Sequence, residues 1–204
     1  MMRKSIDYFL KSFMAGIMIS IGCVINLSCD NRYVGSLLFC IGLITILLFK
    51  LNLYTGKVCY IVKNKPKYII DVLISFLGNA VGCTVMGLLF PIAEKQMCSA
   101  KLEFSLPTVL LKSILCGVMI CVAVESYNKF GTLVPTFFCI PTFILSGYIH
   151  VVADTFYFVS AGVFNFSVVK YLLIAAIGNA VGGMLSLLLL SKANIDIDNN
   201  NDKK

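Results

Sequence analysis

The chain has 204 residues, of which 59% are hydrophobic and 13% charged, with a formal net charge of +7 and a mean hydropathy of +0.91. Soluble domains are only about half apolar, so this composition excludes an ordinary soluble domain and indicates an integral membrane protein. The basic residues are scattered rather than interleaved with aromatics, which argues against nucleic acid as a partner.

A bilayer core about 30 Å thick takes about 20 residues of apolar helix to cross. By that measure six spans are expected, at Phe9 to Leu27, Gly35 to Tyr60, Ile69 to Ala93, Thr108 to Glu125, Thr132 to Val163 and Val168 to Leu190. The first reads as a span and not a secretory leader, since no small-residue cleavage site followed by a soluble chain comes after it. The nine cysteines, Cys23, Cys83 and Cys116 among them, lie mostly inside the apolar runs without paired spacing. They read as small apolar fillers, with no metal site and no cofactor implied, although Cys29 and Cys98 fall near helix ends.

The second segment is interrupted by "KLNLYTGK", which places Lys50, Asn52, Thr55, Gly56 and Lys57 in an apolar stretch. The fifth is too long for one span and carries Pro135, Pro141, Gly147, His150 and Asp154. Lipid cannot hydrogen-bond loose backbone, so such breaks are tolerated only where they pack in protein or line a watery path. Both segments are therefore expected to be broken helices.

The third and sixth segments share a pentapeptide. "SFLGNAVGCTVMGLL" from Ser75 aligns without a gap on "AAIGNAVGGMLSLLL" from Ala175. Each copy ends a three-span half, and three is odd, so the second half must enter the membrane the opposite way up. The expected fold is an all-α membrane protein of six transmembrane segments, arranged as two inverted three-helix repeats as in aquaporins. It forms one domain, 1–191, with halves of about 1–100 and 101–191, followed by the polar tail "KANIDIDNNNDKK" at 192–204, which is expected to be disordered and cytoplasmic. Lysines and arginines cluster at the N-terminus, the second and fourth loops and the C-terminus, which places both termini in the cytoplasm of a cell whose plasma (inner) membrane holds the protein. The glycines of GNAVG read as close-packing helix faces. Gly78, Gly82, Gly178 and Gly182 would let the third and sixth helices press on the broken segments, whose backbone Asn79 and Asn179 would brace.

His150 is the chain's single histidine and lies in apolar sequence, where an ionisable group is a functional candidate by default. The motifs around it resemble the formate/nitrite transporter family over nearly the whole chain. "LYTG" at Leu53 to Gly56 matches the broken second helix of that family, "GYIHVVAD" at Gly147 to Asp154 matches its broken fifth helix in part, and "CGVMICVA" at Cys116 to Ala123 resembles its fourth helix. Asn52, Lys57, Gly117, Ile149 and Asp154 depart from the family pattern, which puts the choice of anion in doubt.

The resemblance implies a transmembrane channel or transporter for small monovalent weak-acid anions (formate, nitrite or hydrosulfide), with proton exchange at the central His150 and no enzymatic activity. It implies that Thr55 donates a hydrogen bond to the anion opposite His150, and that Phe39, Leu43, Tyr54, Ile120 and Phe143 form two apolar constrictions. By the same analogy Lys101, in "SAKLEF", draws anions into the outer vestibule, and relatives assemble as pentamers, so a homopentamer in the lipid bilayer is expected. Lys57 and Asp154 replace family asparagines, one on each broken helix, and are expected to brace the two breaks by pairing with each other. The spacing of Ser146 and His150 leaves open an intramembrane serine hydrolase, and a non-transporting structural subunit is the remaining alternative. The paired Asn-Pro-Ala half-helix starts of aquaporins are absent.

Overall fold

The computed structural model describes the backbone of residues 2–201 and the side chains of residues 5–193. The described residues are helical and contain no strand. In order they form α1 (Met2–Ser28), α2 (Arg32–Leu38), α3 (Cys40–Leu48), α4 (Tyr54–Lys57), a 3-10 helix (Val58–Lys63), α5 (Tyr68–Leu89), α6 (Lys95–Leu102), α7 (Leu106–Phe130), α8 (Val134–Leu145), α9 (Val151–Ser160) and α10 (Phe166–Asn201).

Four of the described helices are long and apolar enough to cross a membrane: Ser5–Ser28, Tyr68–Leu89, Leu106–Phe130 and Phe166–Ala193. They coincide with the first, third, fourth and sixth expected segments. The other two expected segments consist of shorter pieces, with residues 49–53 non-helical between α3 and α4 and residues 146–150 between α8 and α9. The distribution of side chains is that of a protein in an apolar solvent. Leu73, Leu77 and Leu88 of α5 and Leu173 and Ile177 of α10 are exposed, while Ser12, Ser75, Asn79, Ser113 and Asn179 are buried. In water the first set would cost free energy; against lipid tails it costs none, and the polar groups turn inward to find partners.

The repeated glycines pack α5 on α1 and α10 on α7. Ser12 and Phe13 of α1 lie against Gly78, and Phe13, Gly16 and Ile17 against Gly82, so α1 and α5 run in the same direction. Ser113 and Leu110 of α7 sit in the same way on Gly178, and Ile114 on Gly182. The glycine faces thus meet the first and fourth expected spans, not the broken segments as the sequence suggested. The reason lies in the asparagines: Asn79 and Asn179 use the faces beside these contacts to reach the breaks. Gly117 also belongs to this packing. A β-carbon there would collide with the carbonyl oxygen of Asn179, so the position is a helix contact and not a pore wall.

The two breaks are closed by matching hydrogen bonds. After α3, Lys50 N–H donates to Leu47 O at 3.3 Å and Leu51 N–H to Ile46 O at 2.9 Å. After α8, Gly147 N–H donates to Ile144 O at 3.1 Å and Tyr148 N–H to Phe143 O at 2.9 Å. Both helices therefore end in a Schellman-type turn whose pivotal residue is left-handed, with φ of 52° at Lys50 and 64° at Gly147. Glycine is the usual occupant of that turn, since it has no Cβ to clash. Lysine at the first of the two is an exception.

Nothing marks an end of α10 at residue 192: its backbone continues to Asn201. Residues 192–201 contain no Pro or Gly, and extending an existing helix adds one hydrogen bond for each residue fixed. The disordered tail expected at 192–204 falls on residues whose side chains, beyond 193, and backbone, beyond 201, lie outside the described residues.

Candidate functional site

Each break ends where a short helix begins, and an asparagine of GNAVG holds each start. Asn79 Oδ1 accepts the Tyr54 N–H at 2.7 Å, and Asn79 Nδ2 donates to Asn52 O at 2.9 Å and Ser12 O at 2.7 Å. Asn179 repeats the pattern: Oδ1 accepts the Val151 N–H at 3.0 Å, and Nδ2 donates to Ile149 O and Ser113 O, both at 2.8 Å. Both side chains are buried, and each satisfies three groups that lipid would leave unpaired. The asparagines fix the first peptide of α4 and of α9, and with it the residue just before each helix. Those residues are Leu53 and His150.

His150 is the N-cap of α9. Its Nδ1 accepts the Ala153 N–H at 3.2 Å, which satisfies one of the donors a helix start leaves open. Its Nε2 lies 2.9 Å from Thr55 Oγ1 in the first turn of α4. Because Nδ1 is an acceptor, the neutral ring carries its proton on Nε2 and donates it to Thr55. The Thr55 hydroxyl then keeps its own proton for another acceptor. A second proton on the ring would have to enter at Nδ1 and break the cap. Phe143 stacks on the imidazole with ring centroids 5.7 Å apart and an interplanar angle of 28°, and Phe39 meets Phe143 edge-on at 5.9 Å. Two apolar rings on one side leave Thr55 as the polar neighbour of Nε2. Thr55 is fully buried and His150 is 2% exposed.

Cavities approach this pair from opposite ends. One, of about 330 Å³, is lined by Leu43, Leu53, Gly56, Lys57, Tyr60 and Tyr68 among others, and lies beside the start of α5 and the end of α7. The second, of about 180 Å³, is lined by Lys101, Phe143, His150, Ala153 and Asp154 among others, near the end of α1 and α6. Gly56 lines the first and His150 the second, so the Thr55–His150 bond bridges the interval between them. We refer to them as the inner and outer cavities.

Of the side chains expected at constrictions, Leu43 lines the inner cavity and Phe143 the outer one. Phe39 and Ile120 are buried and line neither. Tyr54 turns aside, its hydroxyl donating to Ala176 O at 3.1 Å and its ring edge meeting Phe76 at 5.0 Å. Leu53 lines the inner cavity at the position matching His150, and sequence reasoning missed it. Its matching place before α4 could have been found by aligning the two breaks on the asparagines that hold them.

The pairing expected between Lys57 and Asp154 does not occur. Asp154 Oδ1 accepts from Lys101 Nζ at 2.9 Å, and Oδ2 accepts the Tyr171 hydroxyl at 2.7 Å. Lys57 lines the inner cavity and Asp154 the outer one, so the two broken helices carry these charges to opposite mouths. The Asp154 side chain is 3% exposed and that of Lys101 21%, so the pair is largely withdrawn from water. Lys101 lines this second cavity with its charge met by a carboxylate.

Removing either partner should therefore cost more than removing both, because an unpaired buried charge is penalised more than a missing pair. In a double-mutant cycle of Lys101→Met and Asp154→Asn, read by Tm of the purified protein, we expect a coupling of ~2 kcal/mol or more. Additive losses would show that the contact contributes nothing.

Ser146 is the residue that closes α8, its N–H donating to Thr142 O at 3.0 Å, and both His150 nitrogens are taken by Thr55 and Ala153. A serine–histidine dyad is not formed. Among the described residues no group of three or more histidine, cysteine, aspartate or glutamate side chains could hold a metal ion. The nine cysteines are all free thiols, Cys29 and Cys98 included.

Residues 1–192 match the sequence model of the family described as formate/nitrite transporter. The Bacillus subtilis (strain 168) protein described as the uncharacterized transporter YrhG is 32% identical over 125 residues, covering 56% of this chain. The match spans 46% of that relative, so the chain corresponds to about half of its length. Among solved structures, one described as an FNT family ion channel superposes with a TM-score of 0.79 at 21% identity, over 88% of this chain and 86% of its own. Another, described as a pentameric formate channel with formate bound, gives a TM-score of 0.73 at 17% identity, over 95% and 98%. These likenesses establish a shared fold, and the four long apolar helices are those of a multi-pass membrane protein. On its sequence match from residue 1 to residue 192, the chain belongs to the formate/nitrite transporter family.

Proposed function

We propose that the protein is a transmembrane channel for small monovalent weak-acid anions (formate, nitrite or hydrosulfide), with proton exchange at His150. The observation that carries this reading is the Thr55–His150 hydrogen bond, buried between two cavities that approach it from opposite ends. A bare anion in an apolar passage loses its hydration shell without compensation, whereas its neutral acid loses far less. An anion arriving at the pair finds the Thr55 hydroxyl proton, which His150 leaves free by donating its Nε2–H to the Thr55 oxygen. For the exchange the ring first binds a second proton at Nδ1, releasing the Ala153 N–H; the imidazolium then passes one proton to the anion and returns to neutral, and the acid so formed can pass Leu43 or Phe143 as a neutral molecule.

In this reading the chain crosses the plasma membrane six times as two inverted three-helix repeats, with both termini cytoplasmic and the inner cavity on that side. The matching schemes of Asn79 and Asn179 support the repeat, and the basic loops support the orientation. α2 with α3, and α8, would then each cross part of the membrane, and α4 and α9 would complete the two crossings. A homopentamer with a pathway in each subunit is supported by the fold shared with a pentameric formate channel.

The test is flux into liposomes holding the purified protein, with formate, nitrite and hydrosulfide supplied side by side and internal pH followed by a dye. At least one anion should enter faster than into empty liposomes, and a proton should move with it. No flux for any of the three would remove the reading; flux without proton movement would keep the channel and remove the exchange at His150.

A further inference from the structure

The two mouths of the pathway carry different charges at matching positions. Counted from the asparagine-held peptide, Lys50 and Lys57 on the inner side answer to Gly147 and Asp154 on the outer side. At the outer mouth Asp154 meets the charge of Lys101 at 2.9 Å. Arg32 also lines that cavity, and its guanidinium donates to Leu145 O at 2.8 Å, the carbonyl that ends α8. Among the described residues no carboxylate lines the cavity at the inner mouth, while Lys50 and Lys57 both do. Neither lysine makes an ion pair among the described residues. Glu125, close by, is engaged by the Tyr60 hydroxyl and by Lys63 at 3.9 Å. Asp71 attracts the Lys57 charge and Lys11 opposes it, the effect of Asp71 being the larger.

The backbone at Lys50 adds an independent observation. With φ of 52° it occupies the left-handed region, in the turn where the other half of the chain has Gly147. A side chain there is strained, and such outliers cluster where the side chain is used. Glycine would form the same turn without strain. Lysine in its place sets a cation at the cavity wall.

We infer that the inner cavity is an anion-holding site built on Lys50 and Lys57, so that small monovalent anions such as carboxylates collect at this mouth more than at the outer one. The inference rests on the proposed anion pathway and gives it a side. Two like charges beside a cavity walled by protein raise the local concentration of an anion, and salt screens that effect.

The experiment compares the parent with Lys50→Gly, Lys57→Gln and the double variant in membrane vesicles of both orientations, using radiolabelled formate at about 10 mM and about 0.3 M background salt. Lys50→Gly relieves the strained turn, so it is not expected to lower the Tm of the purified protein. For the double variant we expect the formate concentration at half-maximal uptake from the inner face to rise by roughly threefold to tenfold at low salt. The outer face should change by less than about twofold, and the difference should vanish at high salt. Equal changes at both faces, or no change at the inner face, would overturn the inference. If the parent passes no anion, the pathway reading fails by itself, and the site is read by the formate-dependent rise in Tm. A rise that the double variant loses supports the site; a rise that it retains, or none in the parent, overturns it.

Discussion

Replacing His150 by asparagine should lower formate flux at neutral pH by about tenfold or more while leaving the protein folded. The magnitude follows from the barrier: tenfold in rate corresponds to only about 1.4 kcal/mol, and removing the proton source forces the anion to cross bare. Folding should survive because asparagine is among the best N-cap residues and can accept the Ala153 N–H in place of Nδ1. His150→Ala, which loses the cap as well, should cost ~1 kcal/mol more in stability. Comparing the two separates the chemical role from the structural one. The parent flux should rise as pH falls, since protons then reload the ring between transfers. In the asparagine variant only the small fraction of free acid already formed in bulk should cross. Identical pH profiles for parent and His150→Asn would remove His150 from the mechanism.

The second large effect is expected at Asn179, which lines neither cavity. In Asn179→Leu the Val151 N–H loses its acceptor, and Ile149 O and Ser113 O lose a donor, all inside the protein. Each buried group left unpaired costs ~1–3 kcal/mol, so the sum should reach several kcal/mol and leave little folded protein. Size-exclusion profiles and Tm in detergent measure this directly. Asn79→Leu should behave alike, because Tyr54 N–H, Asn52 O and Ser12 O depend on it in the same way. A variant with unchanged Tm would mean that water or another side chain takes over the breaks. Whatever folded Asn179→Leu protein survives should also transport poorly, since the start of α9 positions His150.

Much was legible in the sequence because a membrane imposes simple rules. The long apolar runs fixed four helices, since lipid accepts only backbone whose hydrogen bonds are closed within the segment. Polar residues and prolines inside apolar runs marked the non-helical stretches 49–53 and 146–150, and a lone histidine in apolar sequence stood out as a functional candidate. The repeated GNAVG marked matching positions, and its asparagines hydrogen-bond the backbone at the starts of α4 and α9.

What the sequence could not settle was direction: which face of a helix meets which neighbour, and at which mouth a charge emerges. GNAVG names a small-residue face without naming its partner, and the partners are α1 and α7 because those helices run beside α5 and α10 in the same direction. Lys57 and Asp154 looked like natural partners, since both depart from the family pattern at matching places. Only the fold shows that their helices carry them to opposite cavities, where Lys101 is the cation within reach of Asp154. The cap on α9 was hidden for a related reason: histidine is an uncommon N-cap, and its choice of Nδ1 for Ala153 and Nε2 for Thr55 depends on residues 95 apart meeting. Residue type and periodicity determined by themselves which groups had to be satisfied inside the membrane. Tertiary structure alone decided which group satisfies which, because hydrogen bonds and ion pairs act over a few ångströms in space whatever their separation along the chain.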